Sequence, residues 1–343
     1  MSSNRKLLVV VGTTSSGKTK LGLTLCRLFG GEIVSADSRQ IYRGMDIGTG
    51  KDIQENFEFR ISNLEFKDRT IGYYSDDSIR LWGYDLLDPK EDFSVSKFLE
   101  FANEIIPDIW MRNKLPIIVG GTGFYIKVIL DGIDTISIPP NQKLRKNLKD
   151  KTADELYKLL LDLDKKNALK MNSSDKKNPR RLIRAIEISK YVTGKKFPSY
   201  ASASAGRQVT SRKALNYESL LMIGLTASRP IINKTIERRV KERLNAGFEK
   251  EVLGLLKSGV GWESKSMQGM GYRQYKNLSE GKISRERFID DWISEESKYA
   301  KRQMTWFQKD KRINWYDICA KDFEKRVENI IRSWYYENVE EKK

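Results

Sequence analysis

Residues 12–19 read Gly12-Thr13-Thr14-Ser15-Ser16-Gly17-Lys18-Thr19, which fits the spacing G-x-x-x-x-G-K-S/T. Such a loop between a strand and a helix holds phosphate. Backbone amides of the loop and of the helix N-terminus surround the oxygens, and a lysine adds a point charge. Gly12, Thr14, Ser15, Ser16, Gly17, Lys18 and Thr19 are therefore candidate ligands for a phosphate or diphosphate, with the Thr19 hydroxyl the candidate metal ligand, for magnesium. Taken by itself the loop points to a nucleoside triphosphate, and so to a kinase or NTPase.

Asp37 lies in the segment Ser35-Ala36-Asp37-Ser38-Arg39-Gln40, directly after the second expected strand. At the carboxyl edge of a parallel sheet that position faces the phosphate site. The chain has no histidine. A general base must then be a carboxylate, lysine, tyrosine or water, and histidine-based triads and metal sites are excluded. A carboxylate here suits removal of a proton from an amine; the other readings of Asp37 are a magnesium ligand and a helix N-cap. Two features speak against ATP. The clearest later strand, Leu115–Val119, ends in Gly120-Gly121-Thr122, with no acid to support a metal. Near the core loops there is also no arginine-rich lid.

The elements that must carry these residues follow from hydrophobic periodicity. Strands are expected at Leu7–Val11, Glu32–Ala36, Leu115–Val119 and Ser219–Leu225, and helices at Lys18–Phe29 and Val95–Met111. Residues 56–88 alternate like antiparallel ribbons. The expected fold is α/β, a P-loop NTPase-like parallel sheet core flanked by helices with an all-helical insertion domain. The boundaries are 1–137 for the first part of the core, 138–212 for a basic helical insertion, and 213–343 for the rest of the core and the C-terminal helices. Residues 199–213 read as a polar linker. With 343 residues a sizeable core can be buried. No apolar run approaches the roughly 18 residues of a membrane helix. Cys26 and Cys319 show no zinc or disulfide spacing, which suits a reducing cytoplasm.

The net charge of +17 is confined in sequence. Residues 141–213 hold 20 Lys and Arg against 7 Asp and Glu, whereas residues 1–140 hold 17 against 19. Such a basic segment suits a polyanion, although a lysine-rich solvated surface is the plain alternative. Asn178-Pro179 starts a helix there, and Arg180, Arg181 and Arg184 cluster on one side of it as an RNA-contacting face. Near the end, Lys301-Arg302-Gln303 with Trp306-Phe307 combines charge with aromatic surface, as recognition of a flipped base requires; both aromatics could equally be core. Arg229 follows Ser228, a candidate N-cap, so a cation sits at the positive pole of a helix. An anion beside it would relieve that opposition.

In this order GTTSSGKT, SADSRQIYRGMDIGTGK, PIIVGGTGFY and GYRQ resemble bacterial tRNA dimethylallyltransferases. NPRRLIRAIE, the helix from Arg229 and AKRQMTWF extend the likeness over residues 12–307. The resemblance implies that the loop from Thr14 to Thr19 holds the diphosphate of dimethylallyl diphosphate and not ATP. It makes Asp37 the acceptor of the amine proton of the adenine 3′ to the anticodon, and places Arg229 on the diphosphate. Ser38, Arg39 and Gln40 match residues that touch tRNA, and Thr122 one at the base channel. The chain departs from the family pattern at Arg80–Pro89, at Thr235, where arginine is common, at Gln308, and in a longer 52–80 segment; Arg239 is kept. The expected activity is prenyl transfer to tRNA by a monomer, with the tRNA anticodon stem-loop and dimethylallyl diphosphate as partners. The rivals are an adenylate prenyltransferase, a P-loop kinase or RNA-stimulated NTPase, and a non-catalytic RNA-binding module.

Overall fold

A computed structural model describes residues 5–66, 69–194 and 215–337. The chain divides into two compact units, 1–131 with 215–343, and 132–214. The expected linker at 199–213 lies outside the described residues.

The first unit is built on one eight-stranded sheet. Its strands are β1 (Lys6–Gly12), β2 (Gly31–Ser35), β3 (Glu58–Glu65), β4 (Thr70–Ser75), β5 (Arg80–Trp82), β6 (Leu115–Gly120), β7 (Ser219–Thr226) and β8 (Ile313–Asp317), in the order β3-β4-β5-β2-β6-β1-β7-β8. From β5 to β8 all neighbours run parallel. β3, β4 and β5 pair antiparallel, as the alternation in residues 56–88 predicts. The central strands KLLVVVG and LPIIVG are buried at every residue, because a parallel sheet is covered on both faces.

Helices α1 (Lys18–Phe29), α2 (Val95–Met111) and α3 (Gly123–Asp131) belong to this unit. One core joins α2 and α3 to the sheet through Phe98, Phe101, Ile105, Ile126 and Ile129. The other face is filled by α1 and the last helix through Leu25, Phe29, Val327 and Ile331. The second unit holds α4 (Gln142–Leu148), α5 (Ala153–Leu163), α6 (Lys165–Lys170), α7 (Ser173–Lys176) and α8 (Pro179–Gly194). Its small core comprises Leu148, Leu156, Leu160, Leu182 and Ile186; among its described residues the regular structure is helical.

After β7 the first unit continues as α9 (Arg229–Asn245), α10 (Phe248–Lys257), α11 (Tyr272–Ser279), α12 (Arg285–Phe307) and α13 (Phe323–Tyr336). An aromatic core of Phe248, Tyr272, Phe288 and Trp292 binds α9–α12. Two features differ from the sequence-based expectation. β8, in a region read as purely helical, is a five-residue edge strand whose side chains are mostly part-exposed, so no apolar run marks it. And β6 stands between β1 and β2, so Asp37 reaches the phosphate loop across the end of a third strand.

Candidate active site

The carboxyl ends of β1, β2, β6 and β7 converge on one edge, with Val11 opposite Gly120, Gly12 opposite Leu225 and Ser35 opposite Val119. The first turn past β2 folds over β6. Ala36 N–H donates to Val119 O (2.8 Å) and Thr122 N–H to Ala36 O (3.2 Å). This crossing needs a strand end without side chains: a Cβ on Gly120 would lie 2.3 Å from Ala36 O, and one on Gly121 2.1 Å from Gln303 Nε2. The glycines that replace a metal-supporting acid thus let Asp37 approach the phosphate loop.

A cavity of about 200 Å³ opens over the loop, lined by Ser15, Gly17, Lys18, Thr19, Lys20, Asp52, Gln54 and Arg239 among others. Lys18 Nζ donates to Thr13 O (2.5 Å). The hydroxyls Thr13 Oγ1 and Ser15 Oγ are buried with no partner, which is costly unless a polar ligand meets them. With the Thr19 hydroxyl on the same wall, the donor set is oxygen only, as magnesium prefers. Burial pushes the Lys18 ammonium down to about 8; the Asp37 carboxylate opposes this and Arg239 reinforces it. A bound diphosphate restores the full charge by raising this pKa. Binding of inorganic diphosphate is therefore expected to take up protons near pH 8 and to weaken as pH rises through that value. Calorimetry in buffers of different ionisation enthalpy measures the uptake, and Lys18→Arg, which does not titrate, removes it.

Asp37 is half-buried, and its Oδ1 accepts from Arg39 N–H (2.8 Å). Thr122 Oγ1 accepts from Ser38 N–H (3.2 Å). Tyr299, on α12, faces the same space. Burial, then the Asp37 carboxylate, push its phenol up to about 12, against hydrogen bonds to Thr122 and Gln303. Gln303 is 5% exposed. Its Oε1 accepts from Thr14 N–H (2.7 Å) and its Nε2 donates to Gly121 O (3.0 Å). One amide therefore ties the phosphate loop to the end of β6. Gln303→Ala should weaken binding of inorganic diphosphate about ten-fold, from two lost bonds that preset the loop, with tRNA affinity unchanged. Calorimetry and a tRNA binding titration separate the two.

This geometry agrees with what the chain resembles as a whole. The profile of the IPP transferase family matches residues 40–310. A tRNA dimethylallyltransferase of Geobacillus thermodenitrificans is 34% identical, with 95% of each chain covered. The chain belongs to the IPP transferase family. Among solved structures, a tRNA isopentenylpyrophosphate transferase of Bacillus halodurans is 29% identical over 96% of each chain, with a TM-score of 0.63. A eukaryotic dimethylallyltransferase acting on tRNA is 23% identical over 97% of this chain and 80% of its own, and shares the fold with a TM-score of 0.75.

Residues of this family member expected at an RNA surface fall into two groups. Lys301, Arg302 and Arg180 are exposed, and Arg180 makes no hydrogen bond or ion pair with any described residue. Arg302 lies 5.8 Å from the Tyr299 ring centroid. Arg181 is exposed and pairs with Asp175. Trp306 is 40% exposed, edge-on to the part-exposed Phe124, while Phe307 is core. The second group is engaged inside the protein. Gln303 is the clamp just described. Arg184 donates to Glu187 and to the carbonyls of Thr135 and Ile138; Glu187 is buried in the same unit, so its charge needs this partner. Gln40 Oε1 accepts from Ser35 Oγ and its Nε2 donates to Gly50 O. Arg39 donates to Lys265 O (2.6 Å) while remaining half-exposed. Gln303, Arg184 and Gln40, expected at RNA contacts, each make hydrogen bonds to protein groups here. Arg229 stands in the first turn of α9, just past β7, exposed and with no hydrogen bond or ion pair among the described residues.

Sequence reasoning missed the supports of the MDIGTGK segment. The backbone N–H groups of Asp46, Ile47 and Gly48 all donate to the Glu251 carboxylate (2.7, 2.7 and 3.0 Å), which also accepts from Tyr272 (2.6 Å). Buried Lys51 donates to Tyr42 O and pairs with Asp46 and Asp85. Gly50, at φ +60°, passes so close to α9 that a Cβ would lie 2.4 Å from Arg243 Nη2 and 3.1 Å from Arg239 Nη2. Arg239, already noted in sequence on the helix from Arg229, stands beside this segment.

Proposed function

We propose that this chain transfers a dimethylallyl group from dimethylallyl diphosphate to the exocyclic amine of the adenine 3′ to the anticodon of tRNA. The observation that carries the reading is the pairing, on one sheet edge, of an anion-holding loop with the Asp37 carboxylate close enough to act on Lys18. Here the loop faces a carboxylate suited to accept a proton, and family membership supports the same direction.

The chemistry is as follows. The loop amides, Lys18 and Arg239 hold the diphosphate, and the amine nitrogen attacks the allylic carbon as the carbon–oxygen bond to diphosphate breaks. Negative charge grows on the leaving group, where fixed donors lower the barrier most. Asp37 accepts the proton lost from the amine. Tyr299 and Thr122 form a polar wall that orients the base, and Arg229, at the same edge, adds a cation on the donor's side. Magnesium, held by Thr19 and the diphosphate oxygens, would supply further neutralisation of the leaving group.

The substrate enters as an anticodon stem-loop, with Lys301 and Arg302 exposed on the first unit for its phosphates; on the second unit, taken by itself, Arg180 is exposed as well. One chain carries both the donor site and the base, which is what catalysis by a monomer requires. No helix among the described residues is long and apolar enough to cross a membrane. Both cysteines are free, which supports a cytoplasmic setting. The test is incubation of the protein with unmodified bulk tRNA, ATP and donor labelled in the dimethylallyl group. Label in the tRNA supports the reading; label left on the donor, with phosphate released from ATP, overturns it.

A further inference from the structure

Arg239 and Asp52 form an ion pair at the wall shared by two cavities. One is the phosphate-loop cavity. The other, about 410 Å³, is lined by Asp46, Lys51, Tyr74 and Arg243 among others. Arg239 lines both and is close enough to Lys18 to oppose its protonation. The phosphate-loop cavity is thus walled by three cations, Lys18, Lys20 and Arg239, and by one carboxylate, Asp52. A lone carboxylate among cations occupies the electrostatic role that an anionic ligand would take.

The two partners differ in anchorage. Arg239 is about one-fifth exposed and is held on α9 one turn before Arg243, whose guanidinium is buried against Glu296. Asp52 is 58% exposed, on a loop residue with φ +48°, and can turn to water with little loss. When an anion enters, repulsion displaces the carboxylate and leaves the arginine in place.

Building on the donor-site reading above, in which Arg239 holds the diphosphate, we propose that Asp52 is a competing carboxylate which occupies Arg239 until the donor arrives. Arg239 presents a planar fork suited to two phosphate oxygens. Asp52 keeps it ordered in the free protein and lowers apparent affinity by the energy of one exposed pair. The device speeds release of inorganic diphosphate after transfer, because the carboxylate re-forms its pair as the product leaves.

The experiment titrates inorganic diphosphate into the full chain by calorimetry, with and without magnesium. Asp52→Asn should tighten binding about three-fold in both conditions, the scale of an exposed ion pair. Arg239→Gln should weaken it at least about ten-fold, with Arg239→Lys between the two. A stability role alone does not produce tighter binding on loss of Asp52. Unchanged or weaker binding by Asp52→Asn overturns the proposal, and weakening confined to magnesium makes Asp52 a metal ligand. Unchanged binding by folded Arg239→Gln overturns it as well; if that variant does not fold, Asp52→Asn decides alone. Wild-type protein that binds no diphosphate defeats the donor-site reading itself, a result distinct from a failure of the Asp52 competition.

Discussion

Replacing Asp37 with alanine or asparagine lowers prenyl transfer about 10³-fold while diphosphate still binds within about two-fold of wild type, the usual signature of a lost general base. The argument rests on position and on elimination. The chain has no histidine, and Asp37 is the carboxylate whose charge reaches both Lys18 and Tyr299. One oxygen is held by Arg39 N–H, so the group is oriented before the base arrives. Asparagine keeps the shape and this hydrogen bond but cannot take a proton. Single-turnover rates, with diphosphate affinity measured separately, check the expectation. Parallel loss of affinity and rate would make Asp37 a metal ligand; retention of both would leave the site without its base.

The largest stability effect is expected from Glu251→Ala, at about 2–4 kcal/mol, because three backbone donors and a phenol lose one charged acceptor. Glu251 fastens the MDIGTGK segment to α10 and α11 through Asp46, Ile47, Gly48 and Tyr272. Burial and the neighbouring carboxylate hold the Tyr272 phenol well above its ordinary pKa, so it remains a donor throughout the working range. The segment also carries Lys51 and positions Gly50 under Arg239 and Arg243. Loosening it should therefore weaken diphosphate binding together with stability. Urea unfolding with an unchanged slope measures the first effect. Glu251→Gln, which keeps one acceptor oxygen, should lose less. A loss below about 0.5 kcal/mol, the range of ordinary surface substitutions, would show that the glycines and Lys51 hold the segment without Glu251.

Much of the fold was legible because periodicity reports burial. β1, β6 and β7 are continuous apolar runs, and α1 and α2 fall on the residues expected for them. β8 was not, since a short edge strand with part-exposed side chains has no distinct pattern. Strand order is a tertiary property. Nothing local says that β6 separates β1 from β2, and the glycines at 120 and 121 acquire their meaning only from that crossing. The loop at 12–19 and Asp37 were readable as candidates because their residue types and spacing carry the chemical expectation, and the structure brings them to one sheet edge. The polar side chains around them were harder. Gln40, Arg184 and Gln303 look like surface groups in sequence, yet each satisfies backbone or a buried carboxylate. Burial decides between those roles, and polar residues on amphipathic helices do not announce it.

The central claim is that the phosphate loop presents a diphosphate leaving group to an adenine whose proton goes to Asp37. The most direct measurement mixes the protein, magnesium, dimethylallyl diphosphate and ATP with an unmodified anticodon stem-loop and locates any added mass by nuclease digestion. The account predicts one dimethylallyl group on the adenine 3′ to the anticodon with wild-type protein, and none with Asp37→Asn under the same donor occupancy. An unmodified stem-loop accompanied by turnover of ATP would contradict it.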